Sequence, residues 1–425
     1  MKSKIKKLIP QPIKDLLRPL KKKLVDDPKK RTLFLKMQKK HQQLIEQIKG
    51  KEKIKVVFLA IHKSVWKVDP VFQKMLNDPF FEPLILVCPY VYYGEERMWE
   101  DMKDTYEYFE EKNYPIISSY SKDENRWLSL EEIKPDIVFF TNPHDLTRKE
   151  YYEDAYLNYL SCYVPYAHDV SRYDNFQSQY NQPFHNCMWR IYAPHKEDLD
   201  IFKEYSTSKG KNVVVTGYPF CEVFININIK NNNDKKIIIW APHHTINDDD
   251  VLGYSNFIKY SNLFKEIVTK YQKNVIFVFK PHPILKLKLY KHKDWGMAKT
   301  DDYYKFWTTQ KNTKINNGEY IDLFLQSDAM IHDSGSFLAE YMYLQKPVLY
   351  LNSRDDNLND FGKKAQQSCT VGHNEAGIIL FVEKVINNIA KIDNDFYVEC
   401  LSPYFTNNLP SEKIINDIKQ EGRVM

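Results

Sequence analysis

Short apolar runs alternate along most of the chain with longer segments in which apolar and polar positions are mixed. Continuous runs rich in Val, Ile and Phe predict strands that are buried on both faces, and the mixed segments between them predict crossover helices. The pattern therefore predicts an α/β chain with parallel sheets. The runs lie at residues 53–61, 83–89, 135–142, 159–168, 190–194, 212–219, 236–242, 274–281, 329–333 and 346–352.

A polar, Asn-rich segment at residues 228–236 divides these runs into two series. A chain of 425 residues is long enough for two domains. We therefore expect an N-terminal Rossmann-like domain at 51–225 and a C-terminal one at 226–400, with a tail at 401–425. Ligands of such sheets bind beyond the carboxyl ends of the strands, so a cleft between the two domains is the expected site.

The beginning of the chain is strongly basic. Residues 1–55 carry 19 Lys and Arg against 5 Asp and Glu, a net charge of +14, so the rest of the chain carries −9 of the total of +5. Leu and Ile recur there near helical spacing, interrupted by Pro10, Pro12 and Pro19, and a second helix is predicted at 29–49. We expect residues 1–50 to form an arm on an anionic membrane surface, where each basic residue contributes about 1 kcal/mol. The alternative is a solvated extension that packs on the body.

Several classes of protein are not indicated. The six cysteines form no Cys-x-x-Cys pair, which argues against a zinc ribbon or a disulfide framework and favours a cytoplasmic protein. The sequence has no run of about 18 apolar residues, so no membrane span is predicted. The sequence has no GxGxxG and no GxxxxGK[ST], and no Asp-x-Asp ends a strand, so neither a nucleotide cofactor nor a metal is implied. Nucleic acid is not an expected partner, because aromatic residues do not accompany the lysines of the arm.

Polar tips follow several of the apolar runs. Asp333-Ser334-Gly335-Ser336 precedes a segment with a helical apolar pattern. Either serine can cap this helix, and Gly335 lets backbone approach a ligand. The free N–H groups and the helix dipole then favour a phosphate, although a plain capped helix explains the same residues. The other tips are His168-Asp169, His243-His244 and the Lys280-Pro281-His282-Pro283 turn, in which two prolines restrict the backbone around a histidine.

These elements together resemble a known family. "FVFKPHP" and "YIDLFLQSDAMIHDSGSFLAEYMYLQKPVLYL", with "VTGYPFCEVF" and "IIIWAPHHT" before them, resemble the CDP-glycerol glycerophosphotransferases of teichoic-acid and capsule synthesis. The similarity extends over roughly residues 160–352. It implies a GT-B fold, in which two Rossmann-like domains face a central cleft. It also implies transfer of glycerol phosphate or a related polyol phosphate from a CDP-activated donor to a glycan or lipid-linked acceptor, with release of CMP, on the cytoplasmic face of the membrane.

The resemblance also assigns roles to residues. His282 would contact the donor phosphates, and Ser334 and Ser336 would hold the pyrophosphate. His168 would be the catalytic base, with Asp169 or another carboxylate orienting it. A histidine near its ordinary pKa suits proton transfer at neutral pH.

The donor side would include Lys280, which stabilises charge on the departing CMP. His243 and His244 stand where the family has Thr-Trp. Glu340, one turn past Ser336, would either reach the ribose or face solvent.

Departures from the family pattern leave two questions open. The base element Tyr166-Ala167-His168-Asp169 lacks the family's Trp and Gly, so the base is His168, His144 or His185. Phe220 stands where the family often has Arg, so the donor is a CDP-polyol or, alternatively, a CMP-sugar or another nucleotide-sugar. A non-catalytic binding protein with the same fold is the third alternative.

Overall fold

The structure is a computed structural model that describes residues 27–225, 234–247, 250, 252–352 and 357–422. Its strands form two parallel sheets, one in each half of the chain, and a small antiparallel hairpin. The predicted α/β class with two Rossmann-like domains is therefore confirmed.

The first sheet has seven parallel strands in the order β3-β2-β1-β6-β7-β8-β9. Its order reverses between the neighbours β1 and β6, and the crevice beyond such a reversal is where open α/β sheets bind ligands. The strands are β1 (Ile54–Ala60), β2 (Phe81–Val87), β3 (Ile116–Ser118), β6 (Ile137–Phe140), β7 (Leu160–Tyr163), β8 (Arg190–Ala193) and β9 (Val213–Val215), and the hairpin is β4 (Tyr120–Ser121) with β5 (Arg126–Trp127).

The second sheet has six parallel strands in the order β12-β11-β10-β13-β14-β15. Its order reverses between β10 and β13, the two central strands. The residues that follow these strands therefore sit at the expected ligand crevice of this domain. The strands are β10 (Lys236–Ala241), β11 (Val275–Phe279), β12 (Thr313–Ile315), β13 (Ala329–His332), β14 (Val348–Leu351) and β15 (Thr370–Gly372).

Helices cover both faces of each sheet and bury the apolar sides of the strands. In chain order they are α1 (Asp27–Ile48), α2 (Asp69–Leu76), α3 (Glu95–Glu111), α4 (Leu130–Ile133), α5 (Glu153–Asn158), α6 (Gln177–Tyr180), α7 (Pro183–Cys187), α8 (Lys196–Tyr205), α9 (Phe257–Lys270), α10 (Leu285–Lys291), α11 (Gly296–Thr309), α12 (Ile321–Gln326), α13 (Gly335–Glu340), α14 (Asp360–Gln367), α15 (Glu375–Ile386) and α16 (Pro410–Gly422).

The helix predicted at 29–49 is confirmed as α1, but it is not part of a free arm. Its buried face, which includes Phe34, Met37 and Ile45, packs on the first domain. The other half of the predicted arm, residues 1–26, lies outside the described residues. Within the described part of the chain, no helix combines the length and the apolar character that crossing a membrane requires.

The C-terminal end of the chain also differs from the prediction. Residues 401–425 were expected to form a tail, whereas α16 packs its isoleucines into the core of the first domain. The Glu222 carboxylate accepts hydrogen bonds from the backbone N–H and the hydroxyl of Ser411, at 2.6 and 2.8 Å. Gly217, at φ +91°, leaves room for Tyr404, because a Cβ at this glycine would lie 2.6 Å from the Tyr404 Cβ. The chain therefore passes from the second domain back to the first.

Candidate functional site

Asp333 anchors the turn at the centre of the second sheet. One carboxylate oxygen accepts a hydrogen bond from the backbone N–H of His243 at 2.6 Å, and the other accepts one from the N–H of Asn256 at 2.5 Å. Burial raises the pKa of Asp333 to about 7, while these backbone donors oppose the shift. The Asp333 side chain thus joins the ends of the two central strands. The turn was predicted from the sequence, whereas the anchoring role of Asp333 was not.

Three histidines meet beside this turn. The ring centroids of His243, His244 and His282 lie 4.3, 5.3 and 4.2 Å apart in the pairs 243–244, 243–282 and 244–282. The backbone N–H of His282 donates to the carbonyl of Pro242 at 3.1 Å, which ties the end of β11 to the end of β10. Burial lowers the pKa values of His243 and His282 well below the ordinary range and that of His244 to about 4. All three imidazoles are therefore neutral at pH 7.

The helix after the turn is shorter than the sequence pattern indicates. α13 has only six residues and continues as a 3₁₀ turn, so its dipole is weaker than that of a full helix. Ser334 is the N-cap residue, but its side chain makes no capping hydrogen bond, and Ser336 is half-buried. A Cβ at Gly335 would lie 3.1 Å from Val170 and 3.2 Å from the Tyr254 ring. The absence of a Cβ at Gly335 therefore lets the Val170 and Tyr254 side chains pack closely, and its predicted contact with a ligand stays a prediction.

A buried group of charged and aromatic side chains connects the two domains. Lys67, which lies between β1 and α2, donates a hydrogen bond to the Tyr320 hydroxyl at 2.6 Å, and Tyr320 donates to the Glu340 carboxylate at 2.5 Å. Lys67 also lies 3.9 Å above the Phe220 ring. Glu340 is only 1% exposed, so the alternative in which it faces solvent is wrong.

Lys280 lies next to this group. Its ammonium donates hydrogen bonds to the Asn316 side chain and the Gly318 carbonyl, both at 3.1 Å, and lies 5.0 Å from the centre of the Tyr320 ring. Burial, with the nearby charge of Lys67, lowers the pKa of Lys280 to about 8. Two cations thus flank the same buried carboxylate at the domain boundary.

His168 lies where the domains touch. It is 2% exposed, and its Nε2 lies 3.3 Å from the hydroxyl of Tyr343 in the second domain. Its Nδ1 has no hydrogen-bond partner among the described residues, so the expected orienting contact with Asp169 is not made in this structure. Burial and the neighbouring His195 lower its pKa well below the ordinary range. The expectation of an ordinary pKa for His168 is therefore wrong here.

The loop that carries His168 is fastened to the second domain on both sides. The Asp169 carbonyl accepts a hydrogen bond from the Asn359 side chain, and the backbone N–H of Arg172 donates to the Asn357 carbonyl at 2.8 Å. The Ser171 hydroxyl lies 2.7 Å from the Tyr254 hydroxyl. This loop therefore packs directly against the turn that contains Gly335.

The other two candidate bases occupy different environments. His144 follows β6 at the crevice of the first sheet and is exposed, with its Nε2 3.5 Å from the Tyr166 hydroxyl. His185 is 3% exposed, and its ring lies among Tyr163, Phe184 and Phe202. His144 is thus accessible from the crevice, while His185 belongs to the core of the first domain.

Three residues at the domain boundary were not identified from the sequence. Lys67 and Tyr320 belong to the connecting group described above, and His195 stacks on Phe361 of the second domain at 3.5 Å between ring centres. Lys67 follows β1 and His195 follows β8. Their position after a strand was the one feature of the sequence that could have indicated a place near the site. Their partners lie in the other domain, so the contacts themselves could not be read from a local pattern.

Comparison with known proteins agrees with this architecture. The sequence model of the family described as CDP-glycerol:poly(glycerophosphate) glycerophosphotransferase matches residues 166–357. The comparison with curated proteins gives no match. The matched range contains the His168 loop, the three histidines and the Asp333 turn.

Solved structures share the fold at low sequence identity. A variant of the wall teichoic acid polymerase TagF has a TM-score of 0.55 and 14% identity, covering 96% of this chain and 97% of that chain. UDP-GlcNAc 2-epimerase from Neisseria meningitidis, bound to UDP-GlcNAc, has a TM-score of 0.53 and 18% identity, covering 87% and 100%. UDP-GlcNAc 2-epimerase from Methanocaldococcus jannaschii has a TM-score of 0.53 and 16% identity, covering 86% of this chain and 99% of that chain. At such identities these likenesses show the GT-B fold alone. The family match at residues 166–357, a little under half of the chain, confirms the resemblance to the CDP-glycerol glycerophosphotransferases that the sequence shows there and supports a transferase enzyme.

Proposed function

We propose that the chain transfers a polyol phosphate, glycerol phosphate or ribitol phosphate, from a CDP-activated donor to a hydroxyl group of a cell-surface glycan or a lipid-linked acceptor, releasing CMP. The observation that carries this proposal is the packing of the His168 loop of the first domain on the Asp333 turn of the second. The loop of a candidate base and the turn of a candidate phosphate site thereby lie against one another at the domain boundary, within the segment that matches the family.

The donor side is built from the second domain. His282, held between two prolines, and His243 and His244 present imidazole groups beside the turn that holds Ser334 and Ser336. Lys280 supplies a buried cation nearby. Donors fixed in place before the reaction stabilise charge that develops on a leaving phosphate, because they need no reorganisation in the transition state.

The chemical step is a substitution at phosphorus. The acceptor oxygen attacks the β-phosphorus of the CDP-polyol, a new P–O bond forms, and the bond between the β-phosphorus and the bridging oxygen breaks. The bridging oxygen leaves on CMP with the bonding electron pair. His168 takes the proton of the acceptor hydroxyl, for which its neutral form is required. His144 is the second candidate for this proton transfer, because it is exposed at the crevice of the first sheet.

The acceptor is expected at the membrane. The basic charge of residues 1–55 supports this part of the proposal, since a lipid-linked acceptor and an anionic surface lie in the same place. α1 packs one face on the first domain and exposes the other, and residues 1–26 lie outside the described residues. The proposed location is the cytoplasmic face of the membrane.

The donor class is tested with purified protein. We expect CMP release from CDP-glycerol or CDP-ribitol in the presence of a lipid-linked or glycan acceptor, and calorimetric binding of the same donor. CMP-sialic acid and UDP-sugars serve as matched comparisons. Transfer from CMP-sialic acid or a UDP-sugar, without transfer from either CDP-polyol, would contradict the proposal and favour a nucleotide-sugar transferase.

Lys280 predicts an alkaline limit for the reaction. The pKa of about 8 means that Lys280 is charged below pH 8 and loses its charge as the pH rises through this value. Because kcat/KM reports groups of the free enzyme, kcat/KM for the donor should fall above about pH 8. The arginine of Lys280→Arg keeps its charge at higher pH, so the alkaline fall of kcat/KM in this variant should move to higher pH. Identical alkaline limbs in the two proteins would show that Lys280 is not the titrating group.

A further inference from the structure

The histidines beside the Asp333 turn have the composition of a metal site. Among the described residues, His243, His244 and His282 each offer a ring nitrogen, and these nitrogens lie within 4.8 Å of one another. We propose that these three side chains bind a divalent transition metal ion, with Zn²⁺ as the expected metal. No metal site was predicted from the sequence, because no Asp-x-Asp ends a strand and the histidines were assigned to the donor phosphates.

The three rings are already arranged around a common point. Their centroids are 4.2 to 5.3 Å apart, and they come from two neighbouring strand ends, β10 and β11. A tetrahedral zinc with Zn–N distances of about 2.0–2.1 Å needs ligand nitrogens roughly 3.4 Å apart. His243 is buried, whereas His244 and His282 are half-buried, so rotation of these two side chains is the movement we expect to bring the nitrogens together.

The surroundings of the rings suit metal ligation unequally. His243 Nδ1 lies 2.9 Å from the Thr245 hydroxyl, a contact that fixes the ring while the opposite nitrogen stays free. His244 Nδ1 is buried and has no hydrogen-bond partner among the described residues, and a metal or a partner acquired on metal binding would satisfy it. His282 Nδ1 accepts a long hydrogen bond of 3.3 Å from the Ile284 N–H, so the ring proton is on Nε2. Ligation through Nε2 would move this proton to Nδ1 and break the hydrogen bond.

The ligand set selects the class of metal. Imidazole nitrogens suit Zn²⁺, Co²⁺ and Ni²⁺, whereas Mg²⁺ and Ca²⁺ prefer oxygen ligands. The nearby carboxylate of Asp250 is held by the Lys288 ammonium at 2.8 Å, so it is not free to turn the cluster into an oxygen-rich site. Three protein ligands leave one tetrahedral position open, which is the arrangement of catalytic zinc sites.

The open position has a consequence that rests on the proposed function. The backbone N–H of His243 is hydrogen-bonded to Asp333, so the cluster adjoins the turn proposed to hold the donor diphosphate. A phosphate oxygen of the donor is then the expected fourth ligand. The metal would polarise that oxygen and offset charge on the departing CMP.

Metal binding is tested first, without any donor. Untagged full-length protein, treated with a chelator and then titrated with Co²⁺, is expected to bind one ion per chain and to show the visible absorption of tetrahedral Co²⁺. Zn²⁺ should displace it, and Mg²⁺ should not. Loss of a residue that only hydrogen-bonds a metal ligand weakens metal binding by about 10–100-fold. His244→Ala and His244→Gln, which remove a proposed ligand, should each weaken Co²⁺ binding by more than this. His373→Ala, which alters an exposed histidine of the same domain, is the matched control.

The outcomes separate the two proposals. Loss of the Co²⁺ signal in both His244 variants, with circular dichroism and binding by His373→Ala unchanged, supports the metal site even if no CDP-polyol is turned over. Absence of Co²⁺ and Zn²⁺ binding by the natural chain, or full binding by folded His244→Gln, would overturn the metal site even if transfer is found. Where both hold, CDP-glycerol or inorganic phosphate should change the Co²⁺ spectrum; an unchanged spectrum on donor binding would overturn the fourth-ligand inference.

Discussion

Replacing His282 with alanine is expected to remove measurable transfer from the CDP-polyol while the chain stays folded. The side chain is fixed between two prolines at the end of β11, next to His243 and His244, so its loss takes one prepositioned group out of the proposed donor site. Loss of one such prepositioned group lowers kcat by about 10²–10³-fold in other enzymes, and the loss should be larger here because the same residue is a proposed metal ligand. CMP release under saturating donor is the measurement.

The control for this substitution is His292→Ala. His292 lies just after α10 in the same domain, outside the histidine cluster, and makes a local contact with the Asp294 N–H at 3.2 Å. It should retain full activity. Full activity in the His282→Ala protein, with a melting temperature close to that of the natural chain, would exclude His282 from the donor site.

A second large effect is expected from His168→Asn. Asparagine keeps a polar group of similar reach toward Tyr343 but cannot accept the proton of the acceptor at neutral pH. General-base catalysis contributes about 10²–10⁴-fold, so kcat should fall by this factor while donor binding measured by calorimetry changes little. This division between kcat and binding distinguishes a base from a residue that only supports the domain contact.

Two parallel variants decide between the candidate bases. His185→Asn alters a histidine in the core of the first domain and should leave kcat unchanged when the protein folds. His144→Asn tests the exposed alternative at the crevice. A loss of about 10²–10⁴-fold in the His144 variant, with an active His168 variant, would move the proton transfer to His144.

The central strands of both sheets follow directly from the sequence. The runs at 236–242 and 329–333 correspond to β10 and β13, because strands buried on both faces must be continuously apolar. The edge strands β3, β12 and β15 have only three residues each and were not predicted. A strand this short is too brief to show a period, and its pairing depends on the neighbouring strand.

The site was predictable to the extent that it depends on strand ends. Parallel strands bring their carboxyl ends to one edge, so the meeting of His243, His244 and His282 could be expected before the fold was known. The contact between Lys67 and Tyr320 joins residues 253 positions apart and exists only in one relative placement of the domains. The burial of His168 also depends on how the two domains are placed. An ordinary pKa was expected for His168 because this burial, which lowers the pKa, could not be predicted from the sequence.

The return of the chain to the first domain through α16 limits how the cleft can open. Two stretches of backbone cross the boundary, one after β9 and one before α16, and Ser411 at the start of α16 is held by Glu222, which follows β9. A body joined at one point can swivel in any direction, whereas a body joined at two points turns mainly about the line between them. Opening for donor entry should therefore be a hinge rotation about that line, which would separate the His168 loop from the Asp333 turn and expose the buried imidazole to the acceptor.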